Sequence, residues 1–125
     1  MIDGPPSLAF FTINAMMAAS EILLSLQVQA YAYKALDQLL SIVDKMREIQ
    51  PNQMGGIVLT MHDRRNALAA TIEAKKFGNL VYQTTITVNV RIAEAPFDGG
   101  SIGKYETSSK GAEAYRDLAV EVLSE

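Results

Sequence analysis

Residues 56–66 read Gly-Ile-Val-Leu-Thr-Met-His-Asp-Arg-Arg-Asn, an apolar run that changes abruptly into a charged one. The apolar part, Gly56 to Met61, is short and does not alternate with polar residues. Such a run is typical of a parallel strand that is buried on both faces. The charged part, His62 to Asn66, predicts a loop at the carboxyl end of that strand.

Two further strands flank this one, over residues 22–28 and 80–88. The first is predicted as an interior strand without clean alternation, and the second is rich in β-branched residues. Helical patterns separate or follow the strands, over residues 8–19, 36–46, 67–77 and from Ser108 or Ser109 to the end. The alternation predicts a single α/β domain over residues 1–125, with a parallel sheet and flanking helices.

Details of the helices and loops also follow from residue spacing. The helix over residues 8–19 is apolar nearly all round, which predicts that it is buried. The last helix has an inner stripe at Tyr115, Leu118, Ala119 and Val122. Between the third strand and this helix, Pro96, Gly99, Gly100 and Gly103 predict a long loop with glycine hinges.

Right-handed crossovers place the carboxyl ends of parallel strands on one edge of the sheet, where ligands of such folds bind. The loops at this edge lie at residues 3–6, 27–31, 60–65 and 87–91. Three of them carry charged residues that packing does not require: Asp3, the cluster 63–65 and Arg91.

Composition excludes several kinds of site. The 125 residues include no cysteine and one histidine, so thiol chemistry, disulfides and multi-histidine metal sites are excluded. The net charge of −3 argues against a surface that binds nucleic acid all over, but it allows a local basic patch. No segment is apolar enough to span a membrane and no secretory signal is visible, so we expect a cytoplasmic protein.

Each residue that is a candidate for catalysis or ligand binding has two interpretations. Asp3, followed by Gly-Pro-Pro, is either a carboxylate held near a magnesium ion or a turn aspartate near a terminus. His62 is either a general base or a loop histidine that bonds to backbone or water. Arg64 and Arg65 are solvated surface residues or phosphate contacts, and Arg91 lies at the same predicted edge.

No phosphate-binding loop is recognisable in the sequence. The only Gly-Lys pair is Gly103–Lys104, which has Asp98 in place of the first glycine of a P-loop and Tyr105 in place of Ser or Thr. The dinucleotide-binding pattern G-x-G-x-x-G also fails, because Asp98 stands where the glycine before Gly100 and Gly103 belongs. The sequence therefore lacks a cradle of backbone amides for a triphosphate.

Six segments, in the right order, resemble the ParA/Soj-type partitioning ATPases, which are MinD-related P-loop ATPases with a deviant Walker A motif. Residues 3–8 resemble the Walker B stretch D-x-P-P-S-L. Residues 56–65 resemble G-V-L-L-T-M-x-D-x-R, and residues 89–96 resemble N-V-R-x-x-E-A-P. The remaining matches are at residues 12–15, 27–40 and 102–115.

The resemblance implies a partial P-loop NTPase-like sheet that corresponds to the C-terminal half of such an ATPase, with the N-terminal strands missing. Family members bind ATP and magnesium, dimerise through the nucleotide and bind DNA non-specifically. A ParB-like centromere-binding protein stimulates hydrolysis, and the cycle moves plasmids or chromosomes apart. We therefore expect a cytoplasmic protein, associated with the nucleoid if DNA binding is retained.

The resemblance also assigns roles to residues. Asp3 would be the Walker B aspartate, which acts indirectly on magnesium and on water. Arg65 and Arg91 match the arginines that contact DNA. Thr87, Val88 and Asn89 lie where the family contacts adenine, although Thr87 and Val88 replace a usual Pro-Arg.

Because the Walker A loop is absent, we expect the chain alone to bind no nucleotide and to hydrolyse no ATP. The expected partner is a second copy in a homodimer, or a second, different chain that supplies the P-loop. Two alternatives remain open. One is a non-enzymatic DNA- or partner-binding module that uses Arg65, Arg91 and Lys104, and the other is a truncated remnant that self-associates through its exposed first strand and first helix.

Overall fold

The computed structural model describes residues 1–5, 9–27, 38, 41, 44, 45, 48, 53–62 and 77–124. Three strands of this part form one sheet: β1 (Glu21–Gln27), β2 (Gln53–His62) and β3 (Val81–Thr87). Both neighbouring pairs are parallel, and β2 lies in the centre. The predicted α/β fold with a parallel sheet is confirmed, with all three strands close to their predicted positions.

The sequence of β2 explains its central place. Ile57, Val58 and Leu59 are all buried, with Ile57 and Leu59 on one face of the sheet and Val58 on the other. Gly56 lies against the ring of Tyr82, and a Cβ atom at this position would be 2.5 Å from Tyr82 Cε2. Glycine therefore lets the neighbouring strand bring a large aromatic side chain close to the backbone of β2.

β1 differs from its prediction as an interior strand. Its residues alternate between buried and exposed, with Leu24 buried and Leu23 43 % exposed. Ile22, Leu24 and Leu26 join Ile57 and Leu59 in the main core. The alternation arises because successive side chains point to opposite faces of the sheet and only the face that carries Ile22, Leu24 and Leu26 is buried. β1 is also an edge strand of the described sheet.

The first helix, α1, spans Phe10–Ala18 within the predicted range. Met16 is buried against β1 and β2, but Phe10 and Phe11 are 75 % and 76 % exposed. The prediction of a buried helix is therefore wrong for most of its surface. A helix laid on one sheet can bury only one stripe of side chains, and the other stripe needs a further layer.

Three short helical turns occupy the segment predicted as a long loop: α2 (Val90–Glu94), a 3-10 turn (Ala95–Asp98) and α3 (Ile102–Tyr105). Asn89 begins α2, because its Oδ1 accepts a hydrogen bond from the Arg91 backbone nitrogen at 2.8 Å. Gly99 ends the 3-10 turn with a φ of 72°, a conformation that favours glycine. Gly103 lies inside α3 and not in a loop, and the hinge role of Gly99 and Gly100 stays a prediction.

The last helix, α4, spans Lys110–Leu123 and begins as predicted at Ser109. The Ser109 Oγ accepts a hydrogen bond from the Ala112 backbone nitrogen at 3.1 Å. The helix covers the second face of the sheet through a stripe formed by Ala114, Leu118 and Val122. Tyr115 and Ala119, predicted to belong to that stripe, are exposed, because the helix is rotated slightly so that Ala114 faces the strands.

Several predictions fall on residues outside the described part. Of the predicted helix over residues 36–46, positions 38, 41, 44 and 45 are described and are helical. The charged cluster 63–65 and nearly all of the predicted helix over residues 67–77 lie outside the described residues. Within the described part, no helix has the length and apolar character needed to cross a bilayer.

Candidate functional site

The carboxyl ends of the three strands lie side by side, as parallel pairing requires. Gln27 is in register with Thr60, and His62 is in register with Thr87. The Gln27 Nε2 donates a hydrogen bond to the Met61 Sδ at 2.9 Å, which ties the end of β1 to β2. The Val88 backbone nitrogen donates to the His62 carbonyl oxygen at 3.3 Å and ties the end of β3 to β2.

Three of the predicted site residues, Thr87, Val88 and Asn89, lead from β3 into α2. Thr87 is the last residue of β3, Val88 is exposed and Asn89 caps the helix. The amide oxygen of Asn89 is therefore occupied by a hydrogen bond within the chain. The role of these residues beside adenine stays a prediction.

Arg91 lies in the first turn of α2, just beyond the carboxyl end of β3, with its side chain 54 % exposed. Its Nη1 is 3.0 Å from the Glu94 Oε2, and its Nε is 3.1 Å from the Glu106 Oε2. We call Glu94 and Glu106 the acidic clamp. The hydrogen bond that Arg91 donates to Glu94 and the charges of both carboxylates raise the pKa of the Arg91 guanidinium.

The acidic clamp was not predicted from the sequence. Glu94 follows Arg91 by three residues, a spacing at which side chains meet on a helix, so this partner could have been found. Glu106 comes after α3, and no local spacing indicates that it reaches Arg91. Tyr105 completes the group, because its hydroxyl donates a hydrogen bond to the Glu94 Oε2 at 3.3 Å.

His62 is the last residue of β2 rather than a loop residue. Both of its ring nitrogens are buried without a hydrogen-bond partner in the part of the chain that the structure describes. It lines an open pocket of about 340 Å³ between the strand ends and α4. The other lining residues are Thr85, Thr87, Lys110, Glu113, Ala114 and Asp117. One lysine and two carboxylates give the pocket no single charge that would select a ligand.

Asp3 lies in residues 1–5, which form no strand, so its predicted place at a strand end is not seen. The side chain is exposed, and the nearest described link to the rest of the fold is a hydrogen bond from Thr12 Oγ1 to the Pro5 carbonyl oxygen at 3.3 Å. Among the residues that the structure describes, no cluster of three acidic or histidine side chains could hold a metal ion.

Arg65, the second predicted DNA contact, lies outside the described residues. It follows β2 by three positions in the sequence, and Arg91 follows β3 by four. Of the predicted site residues, the structure thus brings together Thr87, Val88, Asn89 and Arg91 at one end of the sheet.

Comparison with known proteins gives matches over the whole chain. A family model described as an AAA domain matches residues 1–57. The chain is 40 % identical to the chromosome partitioning protein ParA of Caulobacter vibrioides over 99 % of its own length and 48 % of that protein. It is 40 % identical to the chromosome-partitioning ATPase Soj of Thermus thermophilus, over 99 % of this chain and 52 % of that one.

A third relative is the sporulation initiation inhibitor protein Soj of Bacillus subtilis, which is 42 % identical over 99 % of this chain and 51 % of the relative. The chain therefore spans about half the length of the curated relatives that it matches.

Proposed function

Because the chain belongs to the ParA/Soj family of partitioning proteins, we propose that it acts in ATP-dependent DNA segregation and contacts DNA without regard to sequence. The observation that carries the DNA-binding part is the position of Arg91. It is exposed on α2, directly beyond the sheet edge at which ligands of parallel α/β folds bind.

An arginine at this position suits a phosphate contact. Its guanidinium stays charged and can present two parallel N–H groups to phosphate oxygens. Such contacts position a protein on DNA but carry no sequence information. Arg65 would act in the same way from the loop after β2, whose last residue is in register with Thr87 of β3.

We propose that residues beyond the described part of this chain hold ATP and magnesium. The described residues alone do not fit the group, because Asp3 is a single exposed carboxylate on a segment that forms no strand, and the sequence offers no cradle of backbone amides for a triphosphate. We therefore assign no step of ATP hydrolysis to these residues, and we expect no hydrolysis by this chain alone.

The remaining partners follow from the same proposal. A ParB-like centromere-binding protein would stimulate the cycle, and DNA binding would associate the protein with the nucleoid in the cytoplasm. The chain would form a homodimer, or it would pair with a second, different chain that supplies the P-loop. The open side of β1 and the exposed face of α1 support the need for a further layer of structure.

The test is binding of a fluorescein-labelled DNA duplex of mixed sequence, followed by fluorescence anisotropy over a salt series. We expect Arg91→Ala to weaken binding equally on unrelated sequences and to reduce the slope of log K against log salt by about 1. Arg116→Ala, at an exposed position of α4, removes the same charge elsewhere and serves as the control.

Equal DNA binding by the wild type and by Arg91→Ala would contradict the proposed DNA contact. A loss of affinity in the Arg116→Ala control as large as that in Arg91→Ala would also contradict it, because the effect would then reflect net charge rather than position. For the nucleotide part, tight magnesium-dependent ATP binding by this chain alone would refute our expectation.

A further inference from the structure

We propose that the acidic clamp lowers the affinity of Arg91 for phosphate, because Glu94 and Glu106 offset its charge and compete with phosphate for two of its N–H groups. The inference deepens the proposed function and rests on it, because phosphate binding by Arg91 is its premise. It assigns to two carboxylates a role in setting DNA affinity.

The clamp engages two of the five N–H donors of the Arg91 guanidinium. The Nη1 donates a hydrogen bond to Glu94 at 3.0 Å, and the Nε lies within ion-pair distance of Glu106, at 3.1 Å. A bidentate phosphate contact uses two neighbouring N–H groups of the guanidinium. A phosphate contact that includes the Nε must therefore displace Glu106, and one that includes the engaged N–H of Nη1 must displace Glu94.

The charge of the group opposes DNA as well. One guanidinium and two carboxylates sum to a net charge of −1, so an approaching phosphate meets a negative group rather than a positive one. DNA carries one negative charge for about each 1.7 Å of its axis, which multiplies the repulsion along a binding surface.

The surrounding fold positions the Glu94 carboxylate and the backbone of Glu106. Glu94 accepts a second hydrogen bond, from the Tyr105 hydroxyl. The backbone of Glu106 joins α3 to α4, because its nitrogen donates to the Ile102 carbonyl and its carbonyl oxygen accepts from the Ser109 nitrogen and hydroxyl. The clamp is therefore built on the folded segment from α2 to α4.

The clamp is also weak enough to open. The side chains of Arg91, Glu94 and Glu106 are all more than a third exposed, so water and salt screen their ion pairs. A phosphate that makes a bidentate contact can compete with them, and the released carboxylates are then solvated. The arrangement sets a threshold for DNA binding and does not block it.

The experiment neutralises each carboxylate without changing its shape. We expect Glu94→Gln and Glu106→Gln each to tighten binding of the labelled duplex by about two- to five-fold at low salt, with the gain shrinking as salt increases. Glu21→Gln is the matched control, because it changes the net charge equally at the amino end of β1, away from the carboxyl edge. We expect this control to gain clearly less affinity. Adding Arg91→Ala to Glu106→Gln should abolish the gain.

Weaker DNA binding by Glu94→Gln or Glu106→Gln would overturn the proposal, because the carboxylates would then position Arg91 for DNA. A gain equal to that of Glu21→Gln would overturn it too. If the wild type and Arg91→Ala bind DNA equally, the proposed function fails, and retention on a heparin column then tests the effect of the clamp separately. We expect Glu106→Gln to elute at higher salt than Glu21→Gln. Elution at equal or lower salt would contradict the proposed effect of the clamp on anion binding.

Discussion

The carboxylate of Glu121, in the last turns of α4, lies 2.6 Å from the backbone nitrogen of Gln83 in β3 and accepts its hydrogen bond. The other oxygen of the same carboxylate accepts from the backbone nitrogen of Thr84 at 2.9 Å. The register between β2 and β3 shifts in this stretch, between the pairs Ile57–Val81 and Leu59–Thr85. The carboxylate thus satisfies two amides of an edge strand where the ladder is irregular.

We expect Glu121→Gln to lower the free energy of unfolding by about 1–3 kcal/mol, because an amide side chain offers one acceptor where the backbone presents two donors. Urea unfolding followed by circular dichroism measures the change. Glu113→Gln, an exposed position on the same helix, is the matched control and should change stability by less than about 0.5 kcal/mol. Equal stability of the two variants would show that the Glu121 contacts contribute nothing.

Glu121 also predicts how stability depends on pH. Burial acts to raise the pKa of this carboxyl, but hydrogen bonds from the Thr84 side chain and from the backbone of Gln83 and Thr84 outweigh it and lower the pKa. A depressed folded-state pKa contributes stability that is fully present above the unfolded pKa of about 4.3 and is lost as the pH falls through the folded-state value.

The measurement compares urea midpoints of the wild type and Glu121→Gln between neutral and acidic pH. We expect the difference between the two proteins to be largest near neutral pH and to shrink below about pH 4. A difference that stays constant through the acid range would contradict the assigned pKa direction.

Gly56 allows the Tyr82 ring to pack closely in the centre of the sheet, so a larger residue at this position should destabilise the fold. Gly56→Ala would place a Cβ atom 2.5 Å from the Tyr82 ring, which must then move away from its hydrogen bond to the Gly55 carbonyl oxygen at 3.2 Å. We expect a loss of about 1–3 kcal/mol in the free energy of unfolding. Gly100→Ala is the control, because its nearest neighbour beyond the adjacent residues, the Lys104 Cβ, is 3.8 Å away. An unchanged melting temperature in Gly56→Ala would rule out the close approach.

Because Phe10 and Phe11 of α1 are exposed, we expect the chain to associate with itself or with a further layer of structure. If Phe10 and Phe11 are covered in an assembly, Phe10→Ser with Phe11→Ser should weaken it by about tenfold or more, since each buried phenylalanine contributes about 1.5–3 kcal/mol. Light scattering coupled to size exclusion measures the assembly over a concentration series. Phe97→Ser removes another exposed phenylalanine, in the 3-10 turn, and should leave the assembly unchanged. A wild type that stays monomeric throughout would contradict this prediction.

Much of the architecture could be predicted because it depends on local patterns. The apolar run 56–61 forms the centre of β2, and Ser109 begins α4 through its own side chain. The exposure of α1 could not be predicted from the sequence. An apolar helix is predicted to be buried on all sides, and the pattern does not show whether a second layer of structure covers it. The helical turns over residues 90–105 were missed because Pro96 and Gly99 are typical of loops, and short turns carry too few apolar residues to show a period.

By itself, the sequence determined the family, the three parallel strands and the positions of Asp3, Arg65 and Arg91 as candidates, because each of these follows from local residue order. Only the tertiary structure decided what surrounds the candidates. Glu106 reaches Arg91 across α3, and Glu121 reaches Gln83 from a distant helix, because folding brings together residues whose separation along the chain carries no periodic signal. The net charge around Arg91 is therefore a property of the fold and not of the motif that contains it.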